Sequence, residues 1–142
     1  MQLMFFLKIT RTTKNWLLLL NLTMKDSMKQ SEIWLINLDP AIGAEIKKTR
    51  PAIVVNDNAL GKLPLKIIVP LTDWKDKYEI APWMVYIKPD TINNLSKDSA
   101  ADCFQIRSIA VERFIRKIGR ISSSNLEGIK DALSKVLTIE NY

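Results

Sequence analysis

The chain has 142 residues, 47% of them apolar and 25% charged, and a formal net charge of +6, the composition of a soluble globular domain with one hydrophobic core. It contains no histidine and a single cysteine, Cys103. The absence of imidazole excludes Ser-His-Asp triads, Cys-His dyads, paired-histidine ribonuclease chemistry and nearly every zinc hydrolase site. A lone cysteine closes no intramolecular disulfide, so a cytoplasmic location is expected.

The positive charge is unevenly spread. Residues 1–30 carry Lys8, Arg11, Lys14, Lys25 and Lys29 against Asp26, a net +4, which leaves only +2 for residues 31–142. The high isoelectric point therefore argues little about the folded body. Local basic clusters (Lys47, Lys48 and Arg50; Lys75 and Lys77; Arg113, Arg116, Lys117 and Arg120) are candidates for a phosphate track, against the plainer reading of a solvated surface.

The first thirty residues differ in character from the rest. Their longest apolar run, Trp16 to Leu20, is far short of the roughly 20 residues of a membrane span, and no small-residue cleavage site follows it. Met24 and Met28 lie just before the first strand-like segment. The expectation is that translation starts at one of them and that residues 1–30 are a non-native or disordered extension outside a domain spanning 31–142.

From residue 31 the punctuation is that of a small, mostly β domain. Glu32–Leu38 predicts a strand ending at the Asp39-Pro40 turn, and Pro51–Val55 a second. Leu65–Leu71 is a third, whose Pro70 suggests an edge or a strand end. Trp83–Ile87, Ala100–Ile109 and Ile115–Ile121 bring the count to about six, a spacing that suits a small barrel better than a βαβ fold. A closing helix is predicted from the capping box Ser124-x-x-Glu127 and the apolar stripe Leu126, Ile129, Leu133, Val136 and Leu137.

Three places carry chemistry. The loop from Asp39 to Lys48 delivers Thr49 and Arg50 onto a strand begun by Pro51, which biases Arg50 to an extended backbone and holds its guanidinium at a defined place on the sheet rim. The same pattern equally fits an arginine ion-paired to Glu45 or Asp39. Thr72 and Asp73 place a hydroxyl and a carboxylate where an apolar strand breaks into loop. Gln105 and Arg107 fall on one face of a later strand by the two-residue period. Trp74 and Trp83 are aromatic candidates for base stacking or partner contact, with core or rim packing the simpler role for Trp83.

Four collinear blocks, EIWLINLDPAIGAEIKKTRPAIVV, IIVPLT, LSKDSAADCFQIRSIA and ERFIRKIGRIS, make residues 32–142 resemble the MazF/PemK family of toxin endoribonucleases from toxin–antitoxin pairs. The resemblance implies an SH3-like β-barrel with a C-terminal amphipathic helix, a homodimer, and cleavage of single-stranded RNA at a short sequence with neither metal nor cofactor. It also implies a small, acidic, partly disordered antitoxin of the MazE type as partner. By the same resemblance Arg50 and Thr72 are the catalytic pair, and Glu45, Lys48, Thr49, Asp73, Gln105 and Arg107 contact RNA or hold the geometry. The implied reaction is attack of the ribose 2′-OH on the adjacent phosphorus, leaving a 2′,3′-cyclic phosphate and a 5′-OH. Such an internal nucleophile needs no histidine, which agrees with the composition.

The chain also departs from the family pattern. Ser31-Glu32 replaces a frequent Gly-Asp, and Ala44 occupies a slot often filled by Ser or His. Phe104 stands where many members carry an acidic residue before the QIR glutamine, Asp102 lies two residues upstream, and Ala110 replaces a frequent aspartate. A mechanism that relies on an arginine and an aspartate in that strand is therefore not supported. Two other readings stand beside the ribonuclease: a gyrase-poisoning toxin of the CcdB type, and a degenerate barrel that only binds RNA or antitoxin.

Overall fold

A computed structural model describes residues 28–60 and 63–140. Seven antiparallel strands form one sheet: β1 (Glu32–Asn37), β2 (Thr49–Val54), β3 (Leu65–Asp73), β4 (Met84–Ile87), β5 (Ser99–Asp102), β6 (Arg107–Ala110) and β7 (Phe114–Arg120), followed by one helix, α1 (Ser123–Leu137). The strand order is β4-β5-β3-β2-β1-β7, with β6 beside the first half of β3. The hydrogen-bonded circuit is open between β4 and β7, so this is the expected mostly-β fold with a C-terminal helix as an open barrel. Among the described residues no helix is long and apolar enough to cross a membrane.

Along β1, β2 and the middle of β3 both faces of the sheet are buried, which accounts for the nearly continuous apolar runs there. On one face Ile33, Ile53, Val69, Leu71, Ala101 and Cys103 pack against Leu126, Ile129 and Ala132 of α1. The alternate residues Trp34, Ile36, Ala52, Val54 and Ile68 form a second cluster with Ile109, Phe114 and Met28, as the two-residue strand period requires. Trp34 and Phe114 meet edge to face at 5.7 Å.

Met28–Gln30, assigned by sequence to the extension, pack on this body. Met28 is buried, and the Gln30 amide donates to the Val55 carbonyl at 2.9 Å. Residues 1–27, where the remainder of the extension falls, lie outside the described residues.

The single strand expected over Ala100–Ile109 is two strands, β5 and β6, separated by the 3-10 turn Cys103–Gln105. The turn is made by Asp102, whose carboxylate accepts from the Phe104 N–H and stops the extended run. Pro70 is neither at an edge nor at a strand end. It lies buried in the middle of β3, paired with Ala52 of β2. On its other side β3 pairs with β6 only through Ile68 and with β5 only from Leu71, so the missing N–H falls where the ladder changes partner.

The helix is capped two residues earlier than the sequence suggests: Ser122, not Ser124, accepts from the Asn125 N–H at 3.1 Å. Glu127 instead faces Lys130, because a helix begun at Ser123 carries Glu127 past the capping position. Its apolar stripe ends at Val136, and Leu137 is exposed.

Two contacts seal the outer strands. Glu32, buried at the start of β1, accepts from the Lys29 N–H at 2.7 Å and Trp34 Nε1 at 3.1 Å and pairs with Lys117 Nζ of β7 at 2.6 Å. Burial pushes its carboxyl up, but the Lys117 bond and the two N–H donors outweigh this and hold it below the usual carboxylate value. On the next turn of the barrel, an added Cβ on Gly119 would lie 2.5 Å from the Ile92 carbonyl oxygen, so a backbone atom fills the space a side chain would need.

The folded carboxyl of Glu32 titrates below its unfolded value of about 4.3, so its contribution is complete at neutral pH and is lost as pH falls through the folded pKa. The urea midpoint is expected to drop on acidification below about pH 5 less steeply in Glu32→Gln than in the wild type; parallel pH profiles would contradict this. Gly119→Ala is expected to lower stability by about 1–3 kcal/mol, read from denaturant melts.

Candidate functional site

The β1–β2 loop is built by its own polar groups. The Leu38 N–H bonds to the Lys48 carbonyl at 3.0 Å, and the Asp39 carboxylate accepts from the Lys48 N–H at 2.9 Å. Arg113 Nη1 holds the loop root through the carbonyls of Asn37 and Asp39. Glu45 caps the loop tip by accepting from the Ile42 N–H at 3.0 Å. Lys48 adopts a left-handed φ of 72° at the end of this turn, and Thr49 then pairs with Asn37 as β2 begins.

Arg50 follows, half-buried, with Pro51 opposite Leu35. Its Nε donates to the Lys47 carbonyl at 3.0 Å, not to Glu45 or Asp39. Among the described residues the two Nη nitrogens make no hydrogen bond to the protein. Arg50 and Thr72 line one cleft of about 100 Å³ together with Asp73, Ser96, Lys97 and Ser99. Ala52 is paired with Pro70 across β2 and β3, and continuing that antiparallel register by two residues sets Arg50 opposite Thr72. Asp73 is tied to Lys97 at 3.1 Å on the exposed rim.

A second cleft of about 370 Å³ lies beside the first and is lined by Glu45, Ile46, Pro70, Phe104, Gln105, Ile106 and Arg107. Pro70 and Thr72, two residues apart on β3, give the clefts a common floor. Gln105 sits in the 3-10 turn rather than on a strand, so the two-residue period does not place it beside Arg107; the turn does. Its Oε1 accepts from the Ile46 N–H at 2.6 Å and its Nε2 donates to Asp102 Oδ2 at 3.0 Å. Gln105 thereby ties the β1–β2 loop to β5. Arg107 is half-exposed and makes no side-chain hydrogen bond among the described residues.

The structure therefore gathers Arg50, Thr72 and Asp73 in one cleft and Glu45, Gln105 and Arg107 in the other. Lys48 and Thr49 line neither cleft and are exposed on the loop that leads to Arg50. The sequence pattern gives no role to Ser96, Lys97 and Ser99. They arrive on the β4–β5 loop, which Asn93 braces by donating to the Lys88 carbonyl and accepting from the Asp90 and Leu95 N–H groups. The signal for them was the Ser-Lys-Asp-Ser run within the third block, where small hydroxyls interrupt apolar strands.

The remaining ionisable groups near the clefts are structural. Asp102 is buried, and desolvation raises its carboxyl pKa against the lowering bonds from Gln105 and Phe104. Burial, with the neighbouring Asp102 charge, pushes the Cys103 thiol up to about 12, so it holds almost no thiolate at neutral pH. Phe104 is exposed and meets Trp83, itself on the rim rather than in the core, edge to face at 6.1 Å. No three His, Cys, Asp or Glu side chains converge as metal ligands among the described residues.

Residues 29–137 match the family model for the PemK-like, MazF-like toxin of type II toxin–antitoxin systems. The chain is 36% identical over 112 residues to the endoribonuclease MazF9 of Mycobacterium tuberculosis, covering 75% of this chain and 92% of that one. Among solved structures, MazF from Deinococcus radiodurans superimposes with a TM-score of 0.67 at 21% identity, over 78% of this chain and 96% of that one. An endoribonuclease from a mycobacterial species in complex with its cognate antitoxin gives 0.63 at 16% identity, over 80% and 98%. These last two likenesses concern the fold, and the family follows from the sequence match: the chain belongs to the PemK-like, MazF-like toxins of type II toxin–antitoxin systems.

Proposed function

We propose that this toxin is an endoribonuclease that cuts single-stranded RNA at a short sequence, using Arg50 and Thr72 on the ribose 2′-OH chemistry outlined above. The observation that carries the reading is the meeting of these two residues, from separate sequence blocks, in one cleft. The enzyme activity itself is that of the family.

The 2′-oxygen forms a bond to the adjacent phosphorus as the bond from phosphorus to the 5′-oxygen breaks. The 2′-OH gives up one proton and the departing 5′-oxygen takes up one, so no proton is gained or lost overall. Arg50, with Nε engaged by Lys47, presents its Nη groups as a planar clamp for the non-bridging oxygens, where negative charge builds on the phosphorane. A guanidinium of pKa above about 12 suits this better than proton abstraction. The Thr72 hydroxyl adds a hydrogen bond to a phosphoryl oxygen. The nucleophile belongs to the substrate, in keeping with the protonated, buried Cys103. The reaction needs no metal ion.

The same reading makes Arg107 a backbone contact for the RNA and Gln105 the residue that positions the β1–β2 loop over it. It takes the functional unit as a cytoplasmic homodimer neutralised by a small acidic antitoxin. The complex of the mycobacterial relative with its cognate antitoxin supports such a partner.

Purified protein in excess EDTA is expected to cut a long unstructured RNA at discrete sites, leaving 2′,3′-cyclic phosphate and 5′-OH ends. Arg50→Ala and Thr72→Ala are each expected to lower the cleavage rate by about 10²–10³-fold, the usual effect of removing one transition-state donor, with an unchanged circular dichroism melt. Cleavage that persists at the wild-type rate in both variants would overturn the assignment. In Gln105→Ala the loss of loop anchoring is expected to raise KM more than it lowers kcat.

A further inference from the structure

Beside the Arg50–Thr72 cleft the sheet carries an aromatic box that the cleavage chemistry does not use. Thr72 of β3 pairs with Ala100 of β5, and Ala100 with Tyr86 of β4, so Thr72, Ala100 and Tyr86 form one cross-strand row on one face. The Trp74 N–H bonds to the Asp98 carbonyl at 3.1 Å, continuing the same register and placing Trp74 on that face two residues beyond Thr72. The Trp74 ring stands edge-on to Tyr86 at 5.0 Å and 72°, and to Tyr78 at 5.9 Å and 78°. Tyr86 Oη donates to Asp98 Oδ1 at 2.8 Å, which fixes its ring.

These rings border an open, shallow depression of about 370 Å³ whose remaining lining is Met84 and Glu79, a volume in the lower range of small-ligand sites. The Glu79 carboxylate is exposed and has no side-chain partner among the described residues. Near-perpendicular rings offer one face for stacking and an edge as a wall, and a free carboxylate accepts hydrogen bonds but donates none. Lys77, whose Nζ lies 5.8 Å from the centre of the Tyr78 ring, puts a positive charge beside that ring.

We propose that the box formed by Trp74, Tyr78, Tyr86 and Glu79 is a specificity subsite that stacks one unpaired base of the RNA and selects a base bearing an exocyclic amino group. The row from Thr72 to Tyr86 crosses two strand spacings, about 10 Å, so the base received lies within about two nucleotides of the cut bond. Glu79 accepts from the amino group of adenine, cytosine or guanine, whereas uracil offers a single N3–H flanked by two acceptor oxygens that repel the carboxylate. The subsite rests on the endoribonuclease reading, and its test must separate the two.

The full chain, Glu79→Gln and Trp74→Leu would each be incubated with an RNA pool of randomised sequence and the product ends mapped, alongside kcat/KM on the best single substrate. The wild type is expected to disfavour uracil at one position within about two nucleotides of the cut. Glu79→Gln, which presents an amide donor as well as an acceptor, is expected to admit uracil there and to keep the preference at every other position. Trp74→Leu is expected to lower kcat/KM by about 10- to 100-fold through lost stacking while cutting the same bond. Because Glu79 is exposed, its variant remains informative if Trp74→Leu fails to fold. Wild-type cleavage with an identical base profile in Glu79→Gln would overturn the subsite alone and leave the surface to a protein partner. Absence of wild-type cleavage across the pool would overturn both readings.

Discussion

The structure turns on the change of partner along β3. Its first four residues pair with β6 and its last three with β5, while β2 holds its middle from the other side. A strand that leaves one neighbour for another must bend, and a proline is tolerated there because no ladder bond is asked of its nitrogen. The gap between β5 and β6 is filled by the turn Cys103–Gln105, which carries Gln105 out to the β1–β2 loop. Both clefts open beside this discontinuity, one lined by Pro70 and the other by Thr72.

The loop that delivers Arg50 has few apolar contacts of its own, so its shape depends on polar groups whose partners are distributed over the barrel. Asp39 binds Lys48, Arg113 binds the carbonyls at the loop root, and Gln105 binds Ile46. Arg113 makes two hydrogen bonds and the others one each, every one worth about 1 kcal/mol net, and together they tie the loop to the turn before β7, to the turn after β5 and to its own base. The buried Asp102 is tolerated because Gln105 and the Phe104 N–H both donate to it. Asp102 thus fixes the Gln105 amide so that its oxygen faces Ile46, and it acts on the site through that glutamine.

Much of this was legible in the sequence because alternation and turn residues are local signals. The strand around Ile53 and the helix with Leu126 and Ile129 follow from spacing within a few residues, although β2 begins at Thr49, two residues before the Pro51 start that the spacing suggests. The differences have two causes, competing local signals and groups distant in sequence. Ala100–Ile109 reads as one strand because its apolar run masks the local cap of Asp102 on the Phe104 N–H, and Pro70 reads as an edge because its tolerance depends on where β5 and β6 stop. Ser122 displaced Ser124 as the cap because three consecutive serines give equal local signals and the packing of Leu126 and Ile129 chose among them. Arg50 and Thr72 came from a family resemblance, and their shared cleft was not readable from spacing, since they lie on different strands. The Trp74–Tyr86 box was hidden for the same reason.

The way Arg50 is held bears directly on what it can do. A carboxylate partner would position a guanidinium well but would also cancel much of its charge in the place where the proposed function puts a phosphate. Here Nε is bound by the neutral carbonyl of Lys47, while Pro51 restricts the backbone of the arginine. Orientation is thus supplied by a dipole and a ring constraint, and the full positive charge stays available at the cleft. The nearest cleft-lining carboxylate, Asp73, is engaged by Lys97, which lessens its competition for Arg50. On the proposed reading, an approaching phosphate would meet an arginine that is oriented but not neutralised, the arrangement in which electrostatic stabilisation requires least rearrangement as a phosphorane forms.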